Sequence, residues 1–309
     1  MRLEEILNIK YPFIQGGMAH IATGEFAAAI SNAGGLGLIG TGGLSASDLK
    51  KQIEICKSKT DKPFGVNILL INPEVEEIAE IVSDYKIPVV TTGAGNPGKY
   101  IEKWKESNIK VFPVVSSKAL AVRMERLGVD GIIAEGQEAG GHIGELTSMV
   151  LIHQIADELS IPVIAAGGIA SGKQILAAEV LGAVGVQMGT CLLATNECPV
   201  HEKYKDRIIA AKSSQVTVMG RINGLPNRVL KNKMVNEYIE KEKQGATMEE
   251  LEILTLGSLR KAVHEGDMTN GTIMAGQVVE EVKEKTSVKA LFEKLYSDYL
   301  LEKKKLCAK

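Results

Sequence analysis

One histidine and several glycine pairs carry the strongest chemical signal in this chain. The stretch Ala134-Glu135-Gly136-Gln137-Glu138-Ala139-Gly140-Gly141-His142 places an imidazole on a glycine-rich loop. A histidine flanked by glycines, and not packed in an apolar stripe, suits a ligand-facing donor or acceptor of protons. No second His, Cys or carboxylate stands at metal spacing from His142, so no metal site is expected. His20, His153, His201 and His264 lack that setting and are given structural or surface roles.

Ala166-Gly167-Gly168 and Gln187-Met188-Gly189-Thr190 form a second signal. Glycine without a Cβ lets backbone N–H groups come close to an anion, so these loops predict a phosphate site. Gly34 and Gly128 read only as tight turns after helices. Asn67 lies inside the apolar run FGVNILLI, where an unpaired amide would cost roughly 1–3 kcal/mol, so it needs a partner. That partner is either a ligand or a neighbouring backbone group, and spacing alone leaves both open.

These residues need elements to hold them. Short β-branched runs recur at Pro12–Gln15, Gly35–Gly40, Phe64–Ile71, Ile87–Thr92, Ile109–Val115, Asp130–Glu135, Ile161–Ala166 and Val184–Met188. Amphipathic helical segments lie between them, with start signals such as Thr23, Ser47 and Asn72-Pro73. Near-continuous hydrophobicity implies strands buried on both faces, as in a parallel sheet. Eight βα units predict a closed (β/α)₈ barrel of the TIM type, with a doubly wound open sheet as the alternative. The glycine pairs and His142 then fall on loops after strands, where such barrels keep their active sites, and the last two strands are the usual phosphate pair. Residues 196–267 break the rhythm, show no strand of comparable strength and read as a helical lid. The expected division is therefore a barrel from 1–195 and 268–309 around a lid of 196–267.

Composition adds bounds. The 309 residues are 45% hydrophobic and 24% charged, with a net charge of −2. Nothing global draws the chain to nucleic acid or to an anionic membrane. Cys56, Cys191, Cys198 and Cys307 are widely spaced, so neither disulfides nor zinc are expected, and a reducing cytoplasm fits best. The N-terminal residues lack a basic leader and no apolar run approaches a membrane span.

The chain resembles the FMN-dependent enoyl-acyl carrier protein reductase II family, within the wider nitronate monooxygenase-like FMN barrels. The carriers of the resemblance are YPFIQGGMA, NAGGLGLIG, DKPFGVNILL, VVTTGAGNP, AEGQEAGGHIGELT, IPVIAAGGIASG, VQMGT and GTIMAGQ. It implies FMN held by Gly17, Met18, Asn67, Thr92, Glu135, Gly140 and Gly141, and by Gly167, Gly168, Gln187, Met188, Gly189 and Thr190 near the phosphate. It also implies His142 as the catalytic residue, NADH or NADPH as reductant, an enoyl-acyl carrier protein substrate and a homodimer. His20-Ile21-Ala22 departs from the aromatic-containing segment usual in that family. Nitronate monooxygenase is the rival activity; in those enzymes Gln is typical at the position of Glu135, and Arg is frequent at that of Ile143. A non-catalytic flavin- or nucleotide-binding protein is a further reading. Cys191 is expected to be a core thiol.

Between His201 and Lys233, Lys203, Lys205, Arg207, Lys212, Arg221, Arg228, Lys231 and Lys233 stand against Glu202 and Asp206, a local charge of +6. Such a patch on an otherwise acidic chain is expected to dock an acidic carrier protein, the alternatives being a solvated face or pyridine nucleotide phosphate contacts.

Overall fold

A computed structural model describes residues 2–308. The eight apolar runs all form strands: β1 (Phe13–Gln15), β2 (Gly37–Gly40), β3 (Phe64–Leu69), β4 (Val89–Gly93), β5 (Lys110–Val115), β6 (Ile132–Glu135), β8 (Val163–Ala166) and β9 (Gly185–Met188). Three more, β7 (Gly141–His142), β10 (Val216–Met219) and β11 (Asn227–Leu230), make a small separate sheet. The large sheet runs β1-β9-β8-β6-β5-β4-β3-β2 with every pairing parallel. This is a (β/α)₈ barrel, with helices such as Gly24–Asn32, Ala46–Lys59 and Gly172–Val180 started by Thr23, Ser45 and Ser171 side chains that accept helix N–H bonds.

The seam between β1 and β2 is short. The Gln15 amide donates to the Leu36 carbonyl at 3.0 Å and the Leu36 amide donates to Phe13 at 2.8 Å. Beyond that point the Gln15 side chain extends the pairing. Its Nε2 donates to the Leu38 carbonyl at 3.2 Å and its Oε1 accepts from the Leu38 amide at 3.3 Å. A fully buried glutamine thus closes the barrel where backbone pairing stops.

Strand alternation sorts the apolar residues into two cores. Ile14, Leu36, Leu38, Val89, Phe112, Ile133, Ile164 and Ala166 fill the lumen, with Leu3 and Leu7 plugging its amino-terminal end. Val66, Val90, Val111, Ile132, Val163 and Val186 face the helix ring. The final helix, Val288–Cys307, covers the barrel with Phe292 packed edge-on against Phe13, ring centroids 5.2 Å apart. No helix among the described residues is long and apolar enough to cross a membrane.

The segment 196–267 is not purely helical, contrary to the sequence expectation. It carries the antiparallel pair β10–β11, and β11 pairs in turn with β7 of the glycine loop. Its four-residue strands escape notice because β11, Asn227-Arg228-Val229-Leu230, is half polar yet wholly buried. The polar half is buried only because it meets a loop distant in sequence.

Replacing Gln15 by Leu leaves the buried Leu38 amide and carbonyl without partners. We expect a loss of about 2–4 kcal/mol in unfolding free energy, read by urea denaturation. A variant within 0.5 kcal/mol of the parent, at roughly the scatter expected of surface substitutions, would show that the backbone bonds close the barrel unaided.

Candidate active site

The lumen changes character at the carboxyl ends of the strands. Below lies the apolar filling; above it alternation places Asn67 (β3), Thr91 (β4), Glu135 (β6) and Gln187 (β9) on the luminal side. Asn67 Oδ1 accepts from Thr91 Oγ1 at 2.8 Å, and Asn67 Nδ2 lies 3.5 Å from the Gly17 carbonyl. A Cβ on Gly17 would overlap the Asn67 amide, so glycine is needed for the β1 loop to close over β3. Thr92, one residue beyond Thr91, alternates toward the helix ring, as does Met188, whose side chain packs in the outer core. Their side chains are thus turned away from the mouth, while Thr91, absent from the sequence expectation, turns into the lumen, where it is fully buried and supports Asn67. No motif distinguished the two threonines; only strand parity does.

Glu135 and Gln187 form no side-chain hydrogen bond with another described residue, although Gln187 is buried. Burial pushes the Glu135 carboxyl up to about 7. Polar groups left without protein partners at a barrel mouth suit a ligand that supplies hydrogen bonds.

Across from Asn67, Gly167 and Gly168 take φ of +89° and +74°, a backbone course that only glycine follows without strain. Gly189 and Thr190 lie beside them on β9's loop, with Thr190 Oγ1 accepting from the Gly276 amide at 2.9 Å. Met18 reaches over Gly189, whose Cβ would stand 3.5 Å from its sulfur. Glu138 secures the same region: its carboxylate accepts from the Ser148 amide and hydroxyl, both at 2.9 Å, at the start of the helix Ser148–Ala156.

The loop that carries His142 is fixed by residues far away in sequence. The Arg228 guanidinium, buried beneath it, donates twice to the Gln137 carbonyl, at 3.1 and 2.8 Å. The Ile143 amide donates to Pro226 at 3.1 Å. Gly140 packs so closely on Ala275 and Gly276 that a Cβ there would stand 2.7 Å from the Ala275 carbonyl carbon, and Gly141 faces the Met274 sulfur. His142 itself is exposed, and partial desolvation of its ring lowers its pKa, which favours the neutral imidazole with one donor and one acceptor nitrogen.

The basic segment is largely consumed by the fold. Lys205 is buried, pairing with Glu202 at 3.0 Å and the Asn196 carbonyl at 3.2 Å. Arg207 bonds Gln215, Arg221 pairs with Glu145, Lys212 with Glu280, and Lys231 bonds the Ser214 carbonyl. The eight cations do not form one free face. Cys191 is buried, and its thiol is pushed up to about 12.

A polar upper layer, glycine loops able to meet an anion and a histidine at the mouth of a (β/α)₈ barrel define a site for a phosphate-bearing ligand. The family model described as nitronate monooxygenase matches residues 1–82 and 77–298, and the chain belongs to that family. A probable nitronate monooxygenase of Staphylococcus saprophyticus is 36% identical over 287 residues, covering 77% of this chain and 81% of that protein. Among solved structures, FabK from Thermotoga maritima superposes with a TM-score of 0.96 at 44% identity, covering 99% of this chain and 98% of that one. A nitroalkane oxidase from Streptomyces ansochromogenes gives 0.88 at 25%, with 98% and 99% covered.

Because burial lifts Glu135 above its usual 4.5, the ligand-free fold binds that proton more tightly than the unfolded chain does. The associated stability is complete below about pH 4.5 and is lost as the pH rises through 7. Glu135→Gln in the ligand-free protein is therefore expected to gain up to about 3 kcal/mol over the parent at pH 8, a gap that closes toward pH 4.5. A pH-independent gap in paired urea titrations would count against a buried, proton-holding carboxyl.

Proposed function

We propose that this chain is an FMN-dependent enoyl-acyl carrier protein reductase, reducing trans-2-enoyl thioesters with NADH or NADPH in the cytoplasm. The observation that carries the reading is the 44% identity to Thermotoga FabK over nearly the whole of both chains, with Glu135 and Ile143 standing where the monooxygenase pattern has Gln and Arg. FMN fits the mouth by its donor set. Gly167, Gly168, Gly189 and Thr190 would hold its phosphate, while Asn67, positioned by Thr91, with Glu135, Gln187 and the Gly17-Met18 backbone, would hold its polar ring and ribityl groups.

When bound, FMN supplies hydride transfer between the pyridine nucleotide and the β-carbon of the enoyl thioester. His142 would then donate a hydrogen bond to the thioester carbonyl oxygen as negative charge develops there. It would also hold or pass on the proton destined for the α-carbon. The Arg228 clamp and the Gly140 contact keep that imidazole at a fixed place over the lumen. The acyl carrier protein as bearer of the thioester, and a homodimeric state, are part of the same proposal. Of the eight cations, Lys203 and Lys233 are exposed and free of side-chain bonds to other described residues, so carrier docking rests on them and not on Lys205 or Arg228.

Nitronate oxidation is the second reading, favoured by the similarity to the probable nitronate monooxygenase of Staphylococcus saprophyticus. The two part on one measurement. NADH should bleach the flavin spectrum of the purified protein anaerobically, and crotonyl thioester should restore it. Flavin that ignores NADH but is reduced by a nitronate would overturn the reductase assignment. His142→Ala is expected to keep FMN and to lose roughly two to four orders of magnitude in enoyl turnover. Turnover at the parental rate would remove His142 from the chemistry.

A further inference from the structure

Three basic side chains gather at the mouth on the side away from His142, and none takes part in the chemistry above. His20 sits on the loop after β1 with φ +61°, in the left-handed region that a non-glycine residue rarely enters. Its ring lies against Gly43, after β2, where an added Cβ would stand 2.8 Å from the imidazole Cε1. His264 meets it edge to face, ring centroids 6.0 Å apart at 84°. His264 belongs to a single π-helical turn, Lys261–Glu265, a rare geometry frequent at functional sites. Arg260 directly precedes that turn.

The arrangement has no evident structural purpose. His264 and Arg260 are exposed, and their side chains form no hydrogen bond or ion pair with other described residues. Burial, then His264, then Arg260 hold the proton affinity of His20 down, and no carboxylate acts against them. An arginine and two imidazoles held together with no carboxylate among them offer hydrogen-bond donors and a fixed positive charge, which are complementary to an anion. The glycine loops that would take the flavin phosphate follow β8 and β9, whereas this cluster stands over β1 and β2, so it would serve a second molecule.

We propose that His20, Arg260 and His264 form a second anion site at the β1–β2 rim, taking the phosphate or diphosphate ester of a molecule that enters the mouth to react. Phosphate esters occur in both molecules that the reductase reading requires, the pyridine nucleotide and the phosphopantetheinyl thioester. The inference rests on that reading only for the choice between these two sources.

The test uses the flavin-loaded protein and titration calorimetry with inorganic pyrophosphate, ADP-ribose and desulfo-coenzyme A. Arg260→Gln with His264→Gln is expected to weaken pyrophosphate about fivefold, the scale of two partly exposed charge contacts. Arg260→Lys should retain most of the affinity, and His20→Asn, which tolerates the left-handed backbone, should weaken it without unfolding the loop. Parallel weakening of ADP-ribose assigns the site to the nucleotide, and of desulfo-coenzyme A to the thioester. Equal pyrophosphate affinity in parent and double variant, or no binding to the parent, overturns the proposal. Absent enoyl turnover in a preparation that still binds pyrophosphate through these residues would count against the reductase reading alone.

Discussion

Closure of the β1–β2 seam is the interaction on which the rest of the molecule depends. Seven of the eight neighbouring strand pairs are held by backbone ladders, whereas β1 and β2 share one bridge and the side chain of Gln15. An open seam would expose two strand edges and drain the luminal core. It would also release the Gly16–Met18 loop, whose Gly16 amide donates to the Met188 carbonyl at 2.8 Å and whose Gly17 rests on Asn67. The site and the fold are therefore secured by the same few bonds.

The site arises from a change of solvent within one lumen. Leu38, Phe112, Ile133 and Ile164 exclude water from the middle of the barrel, and one layer higher the inward positions become Asn67, Thr91, Glu135 and Gln187. Polar groups at that depth are costly unless something meets them. Glu135 shows the consequence in its proton affinity, and the layer as a whole favours a ligand with many polar atoms. The glycine loops complete the cradle by removing side chains where backbone must approach an anion.

Rigidity at His142 comes from outside the barrel. Arg228, Pro226 and the run from Met274 to Gln277 lie many residues away from the glycine loop, yet each bonds or packs on it. The segment after β9 is thus more than a cover over the mouth. Its β11 strand and Arg228 align the loop, and most of its other basic residues are spent in bonds elsewhere in the fold, which explains why charge counted along the sequence overstates the cationic surface.

The eight strands were legible in the amino-acid order alone, because strands buried on both faces must be apolar in short runs and glycine-started loops must follow them. That order also determined which loops carry the glycine pairs and His142, since those residue types have few other uses at strand ends. Folding in three dimensions set what depends on partners remote in the chain. Strand parity turned Thr91 inward and Thr92 outward, a distinction invisible in a Thr-Thr pair. β11 and the burial of Arg228 were hidden because a charged residue enters a core only when a partner receives it, and the Gln137 carbonyl that does so lies far away in sequence. His20 and His264, separated by most of the chain, became neighbours for the same reason: the barrel closes, and closure brings the first loop beneath the last.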